Sequence, residues 1–438
     1  MREGKARLYF NLIQKSEKPF DWQFQSKRSH LIMETDKGGK EEQKTQNEDL
    51  TGTVAKHYNQ LQEAGLETRK DSRIFFLRNF NNWIKSVVIG ETINKIREEH
   101  TSDYQLSVLD LCAGKGGDLL KWKKGRISKL VGADIAETSV EQCETRYKEM
   151  VDRNSRDRYP QPMFSSEFIA ADCTKKRLKD SYKDPSMEFD LCSCQFSFHY
   201  SFESLQQAEM MLRNACECLK LGGYFIGTTP NSYEIVHRLR QSEDKSFGNE
   251  VYKITYEADD LDDIPVFGAK YNFHLEGVVD CPEFLVYFPV LEKMAEEFGM
   301  KLLLRKPFAD YFKEKSEQGD HNSLLRKMKA LEEYPAGEDS NLVSEKVEDY
   351  KAVEDMVKHL QESDEQADNR HRRQIKVGTL SQAEWEATTI YCVYVFQKVL
   401  DTKTGNRFEK SEEHGSKRPM DDQDRADDLS PNKSQKVS

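Results

Sequence analysis

Between residues 107 and 230, short apolar runs alternate with amphipathic stretches, the pattern of βαβ units in a parallel sheet. The runs predict strands over 108–112, 129–134, 166–170, 189–196 and 224–228. Between the second and third, Val140, Cys143, Tyr147 and Met150 recur every three or four residues behind a Thr138/Glu141 capping-box pattern, which predicts a helix. A further helix is expected over 202–219, stopped by the Gly222-Gly223 turn. Upstream, the stretch 73–89 places Phe76, Leu77, Phe80, Trp83, Ile84, Val87 and Val88 on one helical stripe, with Arg73, Asn81, Asn82 and Lys85 largely off it.

Beyond Ser232 the regularity falls. An acidic loop at 259–263 precedes an expected strand over 266–273; 284–298 reads as a helix, and 301–308 and 388–397 as two late strands. Between the late strands, 313–382 reads as a charged, largely helical insertion that contains the polar stretch 362–373. Residues 1–50 are rich in Lys, Glu, Gln and Ser, 34–49 almost lack large apolar side chains, and the stretch from 401 onward carries few, the composition of segments that stay disordered. The expected division is a tail over 1–52, a helical extension over 53–106, a core over 107–312, the insertion over 313–382, a final strand over 383–400 and a second tail over 401–438.

Composition narrows the function. The 438 residues hold 66 Lys and Arg against 77 Asp and Glu, a net charge of −11, which excludes a histone-like binder that grips nucleic acid by bulk charge. With 37% hydrophobic and 33% charged residues, the chain is too polar to pack as one globule throughout, in keeping with loose flanks. No apolar run approaches the roughly 18 residues of a membrane helix. Charges at Arg2, Glu3, Lys5, Arg7, Lys15 and Lys18 argue against a secretory signal. Nine cysteines among apolar neighbours then read as free, buried thiols. The pairs Cys192/Cys194 and Cys216/Cys218 do not have zinc-finger spacing, so no metal is expected.

The strongest chemical signal is Val108-Leu-Asp-Leu-Cys-Ala-Gly-Lys-Gly-Gly-Asp-Leu-Leu120, an apolar strand that carries Asp110, turns through glycines and opens a helix. Glycines such as Gly114 let a ligand approach the backbone, and the helix start offers unpaired N–H groups. At the end of the next strand, Asp134 is placed to accept both hydroxyls of a ribose. The order Cys112-Ala-Gly-Lys-Gly-Gly is not the G-x-G-x-x-G of a dinucleotide site, and a carboxylate at 110 repels pyrophosphate but suits a cationic amino-acid tail. Together these features point to S-adenosylmethionine. Asp172 ends the third strand where an adenine amino group is expected, and Gln195, His199 and Tyr200 follow the fourth, where open α/β sheets bind ligands.

At this point the chain resembles the eukaryotic mRNA cap guanine-N7 methyltransferases over roughly residues 53–398. The motifs that carry the resemblance are Phe75-Phe-Leu-Arg-Asn-Phe-Asn-Asn-Trp-Ile-Lys85, Gly114-Lys-Gly-Gly-Asp-Leu-Leu-Lys-Trp122, Asp134-Ile-Ala, Cys194-Gln-Phe, His199-Tyr-Ser-Phe-Glu203, Gly222-Gly-Tyr-Phe-Ile-Gly-Thr-Thr-Pro-Asn231, Phe284-Leu-Val-Tyr-Phe-Pro289 and Glu384-Trp-Glu-Ala-Thr388. The resemblance implies a Rossmann-like α/β class I methyltransferase: a seven-stranded, mostly parallel sheet with helices on both faces, a helical N-terminal extension, and a helical insertion before the last strand. It implies cofactor contacts from Lys85, Asp110, Cys112, Gly114, Asp134, Asp172, Gln195 and Tyr200. It implies cap contacts from Asn81, Asn82, Lys115, Lys121, Arg146, His199, Glu283 and Tyr391. Family members usually have glycine where this chain has Cys112; if the turn needs positive φ, cysteine costs on the order of 1 kcal/mol. The partners implied are 5′-capped RNA, a small activating protein on the 313–382 lobe, and the transcription and capping machinery, with no membrane. Nuclear location follows from that role, and Lys417-Arg418 with the basic residues after Asn432 would suit an import signal.

The reaction asks little of the side chains. Guanine N7 has an in-plane lone pair free at neutral pH, so no general base is required and no catalytic residue is assigned; binding and alignment suffice. Lys115, Lys121, Lys123, Lys124 and Arg126, with Arg146, suit a triphosphate, and Glu283 suits the guanine N–H donors. Two other readings fit the residues: a methyltransferase of the same fold acting on a small metabolite, and a cap-binding scaffold silenced by Cys112.

Overall fold

The computed structural model describes residues 50–60, 72–258, 260–337, 341–365 and 375–408. The strands β1 (Ser107–Leu111), β2 (Lys129–Asp134), β3 (Ser165–Ala170), β4 (Phe189–Gln195) and β5 (Leu219–Pro230) run parallel, and β10 (Met300–Pro307) and β13 (Tyr391–Lys398) complete a seven-stranded sheet. Its order is β10-β13-β5-β4-β1-β2-β3, with β13 antiparallel to both of its neighbours. Every residue of β1 and of β4 is buried, as in central strands covered on both faces. The sheet is therefore the α/β class I architecture that the resemblance implied. Helix α2 (Phe75–Glu98) lays Leu77, Phe80, Trp83, Ile84, Val87 and Val88 into the core, and Phe76 packs at its margin. The stripe read from the sequence is the buried face.

Several boundaries move for identifiable reasons. Helix α4 (Glu137–Ser155) starts at Ala136 without a side-chain cap; Thr138 lies inside it and donates its N–H to Asn59 Oδ1 of α1 (Leu50–Gln60), 3.3 Å away. A packed helix thus supplies what the expected capping box does not. The helix expected over 202–219 splits into a 3-10 turn (Phe198–Glu203) and α5 (Leu205–Cys216), which Ser204 caps at the amide of Gln207. Strand β5, which leads into α6 (Ser232–Gln241), includes Gly222 and Gly223. Its register against β4 jumps there, Phe189 facing Leu219 and Leu191 facing Tyr224, and Gly222 has φ 87°, so the expected turn survives as a bulge in the strand. There a Cβ at 223 would lie 3.1 Å from Asp190 O, so glycine admits the neighbouring backbone.

The larger departure is a second sheet. Strands β6 (Ser246–Gly248), β7 (Tyr252–Tyr256), β8 (Lys270–Leu275) and β9 (Val279–Phe284) form an antiparallel meander. The strand expected over 266–273 is β8, shifted. The helix expected from 284 begins at Phe288 as α7 (Phe288–Glu296), with Pro289 in its first turn, where a missing N–H costs no hydrogen bond.

The charged segment after β10 holds α8 (Phe308–Ser316), α9 (Gly319–Lys327) and α10 (Lys351–Glu365). It also holds a two-stranded ribbon that the largely helical expectation lacked, β11 (Glu332–Tyr334) on β12 (Val377–Thr379). Tyr350, Val353, Val357 and Val377 give the lobe a small core of its own. Helix α11 (Gln382–Thr388), closed by a Ser381/Glu384 capping box, leads into β13. Residues 401–408 fold back, with Leu400 bridging Arg407 and the Phe408 ring against Gly222, so this start of the expected tail is ordered. Residues 50–52, read as the end of the first tail, open helix α1 instead; residues 1–49 and 409–438, and 366–373 of the polar stretch, lie outside the described residues.

Candidate cofactor and acceptor site

The sheet order reverses at β1, which lies between β2 and β4, and in open α/β sheets the crevice beyond such strand ends is where ligands bind. The turn from β1 into α3 (Leu119–Lys124) lies there. Cys112, Gly114 and Gly116 have φ of 55°, 52° and 75°. The turn thus does need positive φ at 112, and the cysteine holds a conformation that disfavours a Cβ by about 1 kcal/mol. A Cβ at Gly116 would strike Leu119 and Cys143, whereas at Gly114 or Gly117 it would meet nothing within 4 Å. One side of the loop packs on the protein and the other faces open space.

Asp134 ties this loop to the end of β2. Its Oδ2 accepts from Gly114 N at 2.8 Å and its Oδ1 from Ala136 N at 2.9 Å. Burial, then the neighbouring Cys112 sulfur, push the carboxyl up to about 6 against those N–H donors. Asp110 is buried in β1, where Oδ2 accepts from Trp122 Nε1 at 3.0 Å. Burial first, and the Asp118 charge second, raise it to about 8. The two acids, an open glycine turn and the absence of a pyrophosphate motif fit a nucleoside that carries a cationic tail. Asp172 closes its own turn, its Oδ1 accepting from Thr174 N at 2.9 Å and from Thr174 Oγ1 at 2.6 Å. Gln195 is held at the end of β4 between Ser193 Oγ (3.1 Å) and Thr228 Oγ1 (3.2 Å). Both stand beside the turn with side chains already engaged.

Lys85 and Lys121, assigned above to different ligands, meet on one carboxylate. Asp118 Oδ1 lies 2.9 Å from Lys85 Nζ and 2.7 Å from Lys121 Nζ, and Lys121 also reaches Asn82 Oδ1 at 3.2 Å. Burial raises the Asp118 carboxyl, but the two ammonium groups outweigh it and hold it well below the usual range. Sequence reading missed Asp118; an acid opening a helix with Lys121 three residues on is the only local sign, and its other partner, Lys85, lies on α2. Asn81 turns instead to Thr388 Oγ1, at 2.6 Å. Lys115 in the turn and Arg146 on α4 are half-buried near this group, whereas Lys124 and Arg126 are exposed, as a solvated helix face would leave them.

A second cluster lies between the sheets. Glu283 on β9 is buried, and Tyr271, its cross-strand partner on β8, donates to Oε2 at 2.7 Å. On Oε1, Tyr200 Oη stands at 3.4 Å and His199 Nε2 at 3.2 Å. The histidine approach lacks hydrogen-bond geometry, so both ring nitrogens, buried to 1% exposure, have no hydrogen-bond partner. Buried polar atoms in that state are uncommon and mark a place where a further polar group belongs. Tyr391 begins β13 against the rings of Phe196, Phe308 and Phe273, and Glu283 is close enough to act on its hydroxyl. Tyr58 of α1, unmarked in the sequence, closes the cluster with its hydroxyl 3.0 Å from that of Tyr200. The charges of both Glu283 and Asp134 act on Tyr58, so it stands between the two half-sites.

The geometry agrees with comparisons to known proteins. A family model described as the mRNA (guanine-N(7))-methyltransferase domain matches residues 41–399. The mRNA cap guanine-N(7) methyltransferase of Drosophila melanogaster is 49% identical over 354 residues, 80% of this chain and 78% of that protein. The protein of that name from Caenorhabditis briggsae is 42% identical over 80% of this chain and 87% of its own. The mRNA cap guanine-N(7) methyltransferase 1 of Oryza sativa subsp. japonica is 36% identical over 79% of this chain and 80% of its own. Among solved structures, an S-adenosylmethionine-dependent methyltransferase from Clostridium acetobutylicum aligns with 59% of this chain and 90% of its own. At 15% identity and a TM-score of 0.36, it is too distant to add to the assignment. The family match spans the glycine turn, the meander that carries Glu283 and the last strand, and the chain belongs to the mRNA (guanine-N(7))-methyltransferase family.

Proposed function

We propose that this chain methylates N7 of the 5′–5′ linked terminal guanosine of capped RNA, with S-adenosylmethionine as the donor. The observation that carries the reading is the buried Glu283 carboxylate, flanked by an unpartnered His199 and by Tyr200, beside a glycine turn bounded by Asp110 and Asp134. S-adenosylmethionine, when bound, supplies a methyl group already activated on a positively charged sulfur. Asp134 is the residue for its ribose, and a cationic tail near Asp110 would favour the carboxylate form that burial disfavours. Glu283 accepts from the guanine N1–H and amino group. His199 and Tyr391 bound the base, and so does Tyr200, assigned to the cofactor in the sequence reading but standing 3.4 Å from Glu283; Lys121, Lys115 and Arg146 face the triphosphate. None of them has to move a proton, since N7 carries its lone pair at neutral pH; their work is alignment and exclusion of water.

By the same reading the protein acts in the nucleus, on nascent transcripts and beside the capping machinery. The lobe around α10 is the seat proposed for a small activating subunit; its separate core of Tyr350, Val353, Val357 and Val377 supports that role. The test of the main reading is to incubate the chain with labelled methyl donor and GpppA- or GpppG-capped RNA, with free guanosine as control, and to map the methylated atom. Glu283→Ala and His199→Ala are expected to keep the cofactor bound and leave the cap unmethylated. Full activity in either sinks the cap assignment.

A further inference from the structure

Helix α2 begins without a cap of its own. Ile74 at its N-cap makes no side-chain hydrogen bond, and no acid stands in the first turn, although the first amides of a helix have no partner within it and the helix dipole favours a negative charge there. Both needs are met from α11, 307 residues along the chain. The buried Glu384 accepts from Leu77 N through Oε1 at 3.0 Å, while its Oε2 accepts from the Ser381 hydroxyl at 2.8 Å. One turn further along both helices, the buried Thr388 donates its hydroxyl to Asn81 Oδ1 at 2.6 Å. Leu77 and Asn81 on α2, like Glu384 and Thr388 on α11, are one helical turn apart, so the helices are joined at two points ~6 Å apart along their axes. A slide of one helix along the other breaks both bonds.

The second of these bonds bears on the site. Thr388 ends α11 just before β13, which opens on Tyr391, and the residues of α2 that follow Asn81 reach the cofactor turn, Asn82 to Lys121 at 3.2 Å and Lys85 to Asp118 at 2.9 Å. Thr388 thus ties the acceptor strand to the helix that carries the polar side chains. It also decides which end of the Asn81 amide is on offer. An amide has an acceptor oxygen and a donor NH2 group; here the oxygen is turned into the protein, and the NH2 end is the one a ligand can meet. We propose that Thr388 is a positioning residue of the acceptor site, holding the Asn81 amide with its oxygen inward so that Asn81 meets the capped end as a hydrogen-bond donor. A triphosphate-linked guanosine is rich in acceptors, the phosphate oxygens and guanine O6 among them. An amide free to flip would also turn its oxygen to them, which repels. Thr388 acts only through Asn81, and Glu384 keeps the two helices in the register that lets it do so. This inference rests on the reading that capped RNA is the substrate.

The experiment measures initial rates of methyl transfer to GpppG-capped RNA by the full chain, with S-adenosylmethionine affinity followed by calorimetry. The natural chain is compared with Thr388→Val, Thr388→Ser, Asn81→Ala and the double variant Thr388→Val with Asn81→Ala. Thr388→Val removes the hydroxyl and is expected to raise KM for capped RNA roughly fivefold, the worth of about one hydrogen bond, with cofactor affinity unchanged. Thr388→Ser keeps the hydroxyl and should restore the natural KM. In the Asn81→Ala background Thr388→Val should add nothing, because the two act as one unit. Should the valine variant not fold, Asn81→Asp decides: it still accepts from Thr388 but has no N–H, and KM is expected to rise at least tenfold. The proposal is overturned by an unchanged KM in Thr388→Val, by an equal further rise in the Asn81→Ala background, or by a serine variant as impaired as the valine one. A loss of cofactor affinity as large as the change in KM, or an Asn81→Asp chain with the natural KM, overturns it too. A natural chain that transfers no methyl to capped RNA overturns the cap reading itself, and the role of Thr388 falls with it; that failure shows in every sample, not in the variants alone.

Discussion

Asp134→Asn is expected to make the fold more stable at neutral pH while removing cofactor binding. Folding moves the Asp134 carboxyl from its ordinary 3.8 to about 6, chiefly by burial and then by the nearby Cys112 sulfur. At about 1.36 kcal/mol per tenfold, that displacement is worth roughly 3 kcal/mol once both states are ionised. The folded value is raised, so the contribution is fully present below 3.8 and is lost as pH rises through about 6. Asparagine is neutral throughout and escapes the loss. Its single carbonyl oxygen accepts from only one of the Gly114 and Ala136 amides, as a protonated carboxyl also would. The variant should therefore exceed the natural chain by about 1–3 kcal/mol at pH 7, shrinking to about 0.5 kcal/mol at pH 4. Urea unfolding at both pH values measures the difference, and calorimetry the expected loss of at least about 100-fold in S-adenosylmethionine affinity (about 2.7 kcal/mol). A stability difference that does not change with pH, or a variant less stable at pH 7, refutes the reasoning.

Asp118→Ala leaves two ammonium groups facing each other, with side chains only 14% and 12% exposed, and should cost about 2–4 kcal/mol in urea unfolding; adding Lys121→Met should recover part of it. Tyr58→Phe removes the 3.0 Å contact with Tyr200, worth about 1 kcal/mol, and should raise KM for capped RNA roughly fivefold with cofactor affinity unchanged. An unchanged KM would remove Tyr58 from the acceptor site. Gly227→Ala places a Cβ 2.1 Å from Cys194 O in the centre of the sheet, and is expected to yield no cooperatively unfolding protein in thermal melts.

Of the proposed site, the cofactor half was far more legible than the acceptor half. Asp110, Gly114 and Asp134 lie on one βαβ unit, where a strand, a turn and the next strand end fall within 24 residues and the geometry follows from local rules. The acceptor half draws on α1, the end of β4, the meander and β13, and without the resemblance Glu283 and Tyr391 would have read as ordinary strand residues. Of the meander only β8 was read, and shifted; β9 runs into the Phe-rich stretch from 284, whose periodicity suits a helix equally well. Asp172 and Gln195 show the converse: their positions were legible, but the turn bonds to Thr174, Ser193 and Thr228 were not.

By itself the sequence determined the alternation of strands and helices, the buried stripe of α2 and the glycine turn with its acids, because apolar periodicity and turn chemistry act over a few residues. Tertiary packing alone decided that Lys85 and Lys121 share Asp118, that Tyr58 meets Tyr200 across 142 residues, and that His199 keeps both nitrogens unpartnered. Those pairings depend on which elements abut when the sheet and the meander bury their faces, and burial is what turns these acids and tyrosines from surface chemistry into a site.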